Sequence, residues 1–326
     1  MCESPSVDFD QLARELVRAL RGRRSQTAFS RRVGYRSNVA HAWETGRNFP
    51  TAAQTLRVAQ QLGLDVRAAL QRFYRNPPPW LEREEPTSPA AVAHLLNDWV
   101  GHTPVRHVAH ASGLSRFAVA RALSGQSEPR LPDFLRLLEA TSLRVLDFVA
   151  VLVDPAALPS VADAWRRLEA ARLAAYDEPW TLAVIRALEL SDYKNLPEHD
   201  PSFIAQRLQL PVALVQRCLS LLDASGQIEL RDRRYRLVAQ AALDTRRDPE
   251  RAKSLRKWWS ERAIERFGEG DDRIFSYNVF GVSERDYARL RELHRGYFRE
   301  LRSIVAASEP VERVVLANVQ LVRLDG

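Results

Sequence analysis

Seven histidines and two cysteines set the metal and thiol chemistry open to this chain of 326 residues. His107 and His110 are three apart, a spacing that puts both on one helical face. A zinc centre needs a third ligand and supporting partners, and no cysteine accompanies the pair. With His94 and His102 they are expected to be solvent-exposed side chains. Cys2 and Cys218 lie far apart, so a disulfide framework is not expected and a reducing cytoplasm is. Cys218 falls beside core positions of its helix and is expected to be a buried thiol. Ala111-Ser112-Gly113-Leu114-Ser115 has the outline of a nucleophile elbow but falls on a turn between two short helices. No Walker or Rossmann glycine pattern, His-Glu-x-x-His or Cys-x-x-Cys occurs. The chain is therefore not expected to be an enzyme, and no metal or cofactor is implied.

Arginine is the residue type that carries chemistry here. Residues 1–79 contain 13 Arg against 6 Asp and Glu, a net +7 that equals the charge of the whole chain. Residues 88–153 are at +1 and residues 160–326 at +2. Charge gathered on one segment is where a polyanion docks. No apolar run approaches the ~20 residues of a membrane span. The acidic, polar MCESPSVDFD start is not a signal peptide.

The elements that hold these arginines follow from periodicity. In Ser25–Pro50, SQTAFSRRVGYRSNVAHAWETGRNFP, a helix is expected over Gln26–Val33 with Phe29, Ser30 and Val33 inward. Gly34 permits the left-handed turn that follows. A second helix starts near Arg36 or Ser37, buries Val39 or Ala40 and Trp43, and stops at Gly46 before Pro50. Asp8 with Gln11 suits the start of a preceding helix, and two more helices follow Thr51 and Gly63.

Ser25-Gln26, Gly34, Trp43-Glu44-Thr45-Gly46 and Pro50 give residues 8–75 a resemblance to the Cro/lambda-repressor, xenobiotic-response-element type of helix-turn-helix family. The resemblance implies that Gln26 holds a DNA phosphate and that Ser37, Asn38, His41 and Ala42 point into the major groove. It also implies that Arg47 reaches the backbone, with Arg36 beside it fixing register. Ala42 departs from the longer polar side chain usual there.

One constant shift along the chain then pairs Leu16 with Leu95, Gly34 with Gly113, Gly46 with Gly125, Pro50 with Pro129 and Val66 with Val145. No gap is needed, so residues 88–154 read as a diverged second copy. Trp43-Glu44 becomes Ala122-Leu123, and the groove positions become Arg116, Phe117, Ala120 and Arg121. Arg116 and Arg121 could contact guanine edges or phosphates, or the face could serve a protein. Between the copies, residues 77–87 in NPPPWLEREEPTSP read as a stiff polyproline linker.

After DPAALPS, residues 160–326 read as an α+β domain. Three helices and a hairpin around Asp232-Arg233 make a winged-helix pattern. Arg231, Arg233, Arg234 and Arg236 would let the wing grasp phosphate. Ile274–Phe280 and Val314–Leu324 alternate like strands around a long helix that starts at Ser283, which predicts a parallel strand-helix-strand unit. This part looks like a bacterial C-terminal domain of unknown function often joined to helix-turn-helix regions.

The expected fold is thus mainly α: helix-turn-helix domains at 1–76 and 88–154, then an α+β domain at 160–326. The expected function is a cytoplasmic transcriptional regulator on double-stranded DNA, homodimeric through the C-terminal half, with room there for a small-molecule or protein effector. The competing class is a protein-interaction adaptor or antitoxin-like protein with decayed DNA-reading surfaces.

Overall fold

The computed structural model describes residues 7–74, 77–101, 103–238, 243–268, 274–306 and 308–325. The described chain is mainly helical with one small antiparallel hairpin. Among the described residues no helix is long and apolar enough to cross a membrane. It divides into two compact units, one formed by residues up to Glu169 and one by Ala170–Val238 with the residues from Asp244 onward.

The first unit holds α1 (Phe9–Arg21), α2 (Gln26–Arg32), α3 (Val39–Thr45), α4 (Ala52–Gln61) and α5 (Val66–Tyr74). A short α6 (Trp80–Arg83) follows, then α7 (Pro89–Val100), α8 (Val105–Ser112), α9 (Arg116–Leu123), α10 (Leu131–Ser142) and α11 (Val145–Ala150). The five helices after α6 repeat the first five at the offset that pairs Leu16 with Leu95. Their starts are set by side chains that accept orphan amides: Asp8 from Asp10 and Gln11, Ser25 from Ala28, Thr51 from Gln54, Ser115 from Ala118. Gln11 does not return the bond to Asp8 and instead donates to Glu15 at 2.8 Å.

The expected stiff linker is not an extended spacer. Its apolar residues find partners, which overrides the proline bias. Leu81 is fully buried, and Trp80 Nε1 and the Tyr74 hydroxyl donate to the same oxygen of Asp98, at 2.8 and 2.7 Å. The two copies share one core rather than one each. Phe148 of the second packs edge-on against Phe73 of the first at 5.7 Å and against Phe134 at 5.2 Å. Each such buried ring stabilises by about 1.5–3 kcal/mol. Between the copies the buried Arg144 guanidinium lies 4.5 Å over Phe73 and 5.0 Å over Trp99, and donates to the Phe73 carbonyl at 3.0 Å.

After a 3-10 turn at Pro155–Ala157, α12 (Ala162–Asp177) carries the chain into the second unit. There α13 (Thr181–Ala187), α14 (Ser191–Lys194), α15 (Pro201–Leu208) and α16 (Val212–Ala224) precede strands β1 (Ile228–Arg231) and β2 (Arg234–Leu237). The strands pair from Ile228 with Leu237 to Arg231 with Arg234. Asp232 and Arg233 both have positive φ, as a tight hairpin turn requires. The core gathers Val184, Tyr193, Ile204, Val215 and Cys218. Two further helices, α17 (Pro249–Glu265) and α18 (Glu284–Ala306), complete the unit.

The expected strand-helix-strand unit does not form. Residues 274–283 and 309–325 carry no regular secondary structure, and α18 lies between them. Neither segment pairs with a second strand among the described residues, and an isolated strand leaves its backbone unpaired. Scattered contacts hold the last segment instead: Val311 and Val314 pack on the core, the Val311 carbonyl accepts from the Ser191 amide at 2.8 Å, and Asn318 and Gln320 donate to the Ser260 hydroxyl at 3.0 and 3.1 Å. The apolar side chains that would have faced a sheet stay open, with Ile274, Tyr277, Val279, Val315, Val322 and Leu324 at least 67 % exposed.

Candidate nucleic-acid interface

The first surface is built on α2, the turn after it and α3. Ser30, buried on α2, ties the helices together: its hydroxyl donates to the Gln26 carbonyl at 2.8 Å and accepts from the Ala40 amide at 3.1 Å. Gly34, at positive φ, turns the chain, and the Tyr35 amide donates to the Ser30 carbonyl at 2.9 Å. Trp43 anchors α3 from beneath, edge-on to Phe29 at 6.5 Å and to Tyr35 at 5.6 Å. Gly46 ends α3 in the left-handed region, where a side chain is strained. A Cβ there would also meet Arg14 Cδ at 3.4 Å.

Glu44 locks this element to α1. Its carboxylate accepts from Arg21 Nε at 2.5 Å and from Gln26 Nε2 at 2.9 Å, with Arg18 at 3.8 Å. Burial pushes the Glu44 carboxyl up, but the bonds from Arg21 and Gln26 and the charges of Arg21 and Arg18 outweigh it. The carboxyl is held below its usual range. Sequence reasoning gave Glu44 no role of its own. Its signal was the acidic residue inside an otherwise basic segment.

What remains outward is polar and cationic. Arg36, Ser37, Asn38, His41 and Arg47 are all exposed, and Ala42 is half-buried. Neither Arg36 nor Arg47 has a carboxylate partner among the described residues. Two of the expected positions also carry structural bonds. Gln26 is half-buried with its amide nitrogen on Glu44. One N–H of the amide is thus committed to a buried carboxylate, which fixes the side chain and leaves its second N–H as the donor a phosphate would take. Asn38 caps α3, accepting from the His41 amide at 3.4 Å, so its oxygen serves the helix.

The second surface is the equivalent face of α9. Val119 and Ala122 point into the core, while Arg116, Phe117, Ala120 and Arg121 face out. Phe117 is 83 % exposed, unusual for a ring with no fold role. Arg116 and Arg121 also lack a carboxylate partner among the described residues. Of the histidines on this copy, His94 stacks on Trp80 and faces Glu84 at 3.3 Å, His107 and His110 are exposed on α8, and His102 lies outside the described residues.

The hairpin arginines are less open. Arg233 pairs with Glu198, Arg234 donates to the Lys194 carbonyl, and Arg236 pairs with Asp232 at 2.6 Å. Arg231 is exposed but also engaged. The hairpin tip is itself pinned: the His199 amide donates to the Arg233 carbonyl at 2.7 Å, and His199 Nδ1 meets the Tyr193 hydroxyl at 3.0 Å. Burial holds the His199 imidazole below its ordinary range. Cys218 on α16 is fully buried, and that burial raises its thiol to about 12, so it stays protonated at neutral pH.

The second unit also has a hollow of about 350 Å³, lined by Trp180, Leu214, Arg262, Glu265 and Arg266 among others. Arg262 lies 5.2 Å from the Trp258 ring centre and Arg266 5.9 Å from that of Trp180.

Residues 160–324 match the model of a family described as a domain of unknown function, DUF4423. No curated protein and no solved structure matches the chain.

Proposed function

The chain belongs to the DUF4423 family through residues 160–324, and from the surface of the first unit, outside that match, we propose a cytoplasmic, sequence-specific DNA-binding transcriptional regulator. One observation carries the reading. On the most basic stretch of the chain, the turn into α3 and its outward face gather exposed hydrogen-bonding side chains between two arginines that no carboxylate among the described residues neutralises. In a Cro-like helix-turn-helix, Ser37 and His41 reach base edges, Asn38 caps the reading helix at the groove, and Arg36 and Arg47 hold phosphates. The α13–α16 helices with the β1–β2 hairpin act as a winged helix. Arg233 and Arg236 sit in ion pairs and Arg234 on the Lys194 carbonyl, bonds that DNA must first displace, so it is a secondary contact. The second unit pairs two chains through its exposed apolar segments. The second unit is also where a small-molecule or protein effector would act; Arg262 at its hollow is already paired with Glu265.

The open apolar surface of residues 274–324 also supports a second reading, an adaptor or antitoxin-like protein whose main partner is another protein. Mobility shift with the DNA upstream of the chain's own coding sequence, at two salt concentrations, separates the two. The regulator binds one duplex selectively, weakens steeply with salt, and loses selectivity in Ser37→Ala/His41→Ala. Binding without selectivity, or selectivity unchanged by that double substitution, contradicts the assignment.

A further inference from the structure

The two copies in the first unit are joined by a pair of hydrogen bonds that mirror one another. The Ala52 amide donates to the Pro129 carbonyl at 3.0 Å, and the Leu131 amide donates to the Pro50 carbonyl at 2.9 Å. Positions 50 and 52 become 129 and 131 at the offset that relates the copies, so each bond is the image of the other. The residues between them, Thr51 and Arg130, form an isolated antiparallel bridge and are themselves equivalent positions. Equivalent residues that face each other antiparallel are the mark of a two-fold axis passing between them. Helix packing repeats the relation: α1 lies on α10, and α7, the equivalent of α1, lies on α4, the equivalent of α10.

We infer that the first unit is an intramolecular two-fold reading head, in which α3 and α9 of a single chain read two unlike half-sites of one DNA site. The inference rests on the DNA-binding reading above and adds to it. A symmetric repressor needs two chains to present two reading helices. Here the duplication supplies the second helix, and the shared core fixes its position relative to the first.

The two edges differ in chemistry. The α3 edge offers Ser37 and His41, flanked by Arg47. The α9 edge offers Arg116, Arg121 and the open Phe117 ring. Arginines suit guanine, and an aromatic ring suits a thymine methyl group. A duplicate kept only for folding has no use for an exposed phenylalanine beside two arginines that no carboxylate among the described residues holds. Because the outward residues differ at each matched groove position, the two edges favour half-sites that differ in sequence.

Selection of bound duplexes from a random-sequence pool by the full-length chain tests this. It is repeated with Ser37→Ala/His41→Ala and with Arg116→Ala/Arg121→Ala, all surface positions whose unchanged melting temperature checks the fold. The expected result is a bipartite motif with unlike halves at fixed spacing. Each double variant then relaxes one half only and weakens binding by about tenfold or more. Should either variant melt lower, Phe117→Ala alone is used, and preference is lost at a single thymine in the α9 half. A palindrome whose halves both relax in Ser37→Ala/His41→Ala, while the α9 variants change nothing, overturns the inference but leaves DNA reading in place. No motif at all overturns both.

Discussion

Glu44→Gln perturbs the joint that aims α3. In the native protein the Glu44 side chain is 5 % exposed and takes Arg21 through two nitrogens, at 2.5 and 3.3 Å, as well as Gln26. Hydrogen bonds to a charged group contribute roughly 1.5–3 kcal/mol each. A glutamine keeps one acceptor oxygen and turns an NH2 group toward the remaining donors, so one to two such bonds are lost. The Arg21 side chain is 18 % exposed. It recovers part of the loss through water, which sets the net at about 2–3 kcal/mol. For a unit of this size ~1 kcal/mol moves the midpoint by about 2–4 °C, so the first unit melts roughly 5–10 °C lower. The assay is thermal unfolding by calorimetry or circular dichroism between pH 7.5 and pH 3. The folded Glu44 carboxyl is held below its unfolded value, which is about 4.3. Its contribution is therefore fully present above that pH and is lost as pH falls through the folded value. The gap between native and variant must shrink in acid. A variant that melts with the native protein at pH 7.5, or a gap that does not close, refutes the reasoning.

Three further outcomes follow from the second unit. His199 is held neutral by burial. Its contribution is complete above the unfolded value of about 6.5 and is lost as pH falls toward the folded one. The second unit's melting point should fall more between pH 7.5 and 5.5 in the native protein than in His199→Phe. Cys218, with its thiol raised to about 12, should resist alkylation at pH 8 in the native state and react at the rate of unfolding. Arg233 holds a positive φ and an exposed ion pair. Arg233→Gly relieves the left-handed strain and gives up only a weak surface contact, so it should leave stability equal or higher in thermal unfolding. A drop in DNA affinity in that variant identifies the hairpin as a contact.

The parts of the fold that were legible in the sequence are those imposed by local geometry. Gly34, Gly46, Gly113 and Gly125 fall at positive φ, and their matched spacing gives both the helices and the duplication. The hairpin was legible because Asp232-Arg233 interrupts two short alternating runs. The union of the copies into one core was not legible, because it depends on which residues Phe73, Arg144 and Trp80 meet across long separations. In the candidate site, the outward placement of Ser37 and His41 was implied by the family resemblance, and that of Arg116 and Arg121 by the matched repeat. The diversion of Gln26 to Glu44 depended on a partner far along the chain, on the next helix. In residues 274–280 and 314–324 the alternation is that of a strand, but pairing is a property of a neighbour, and none is present among the described residues.

On this reading the α3 face distinguishes one base sequence from another. The most direct measurement is the affinity of the full-length chain, by fluorescence anisotropy at about 0.15 M salt, for its selected duplex and for a scrambled duplex of the same composition. The expected preference for the selected duplex is about 10³ or more, carried in part by His41 and Ser37. Equal affinities for the two duplexes would contradict it.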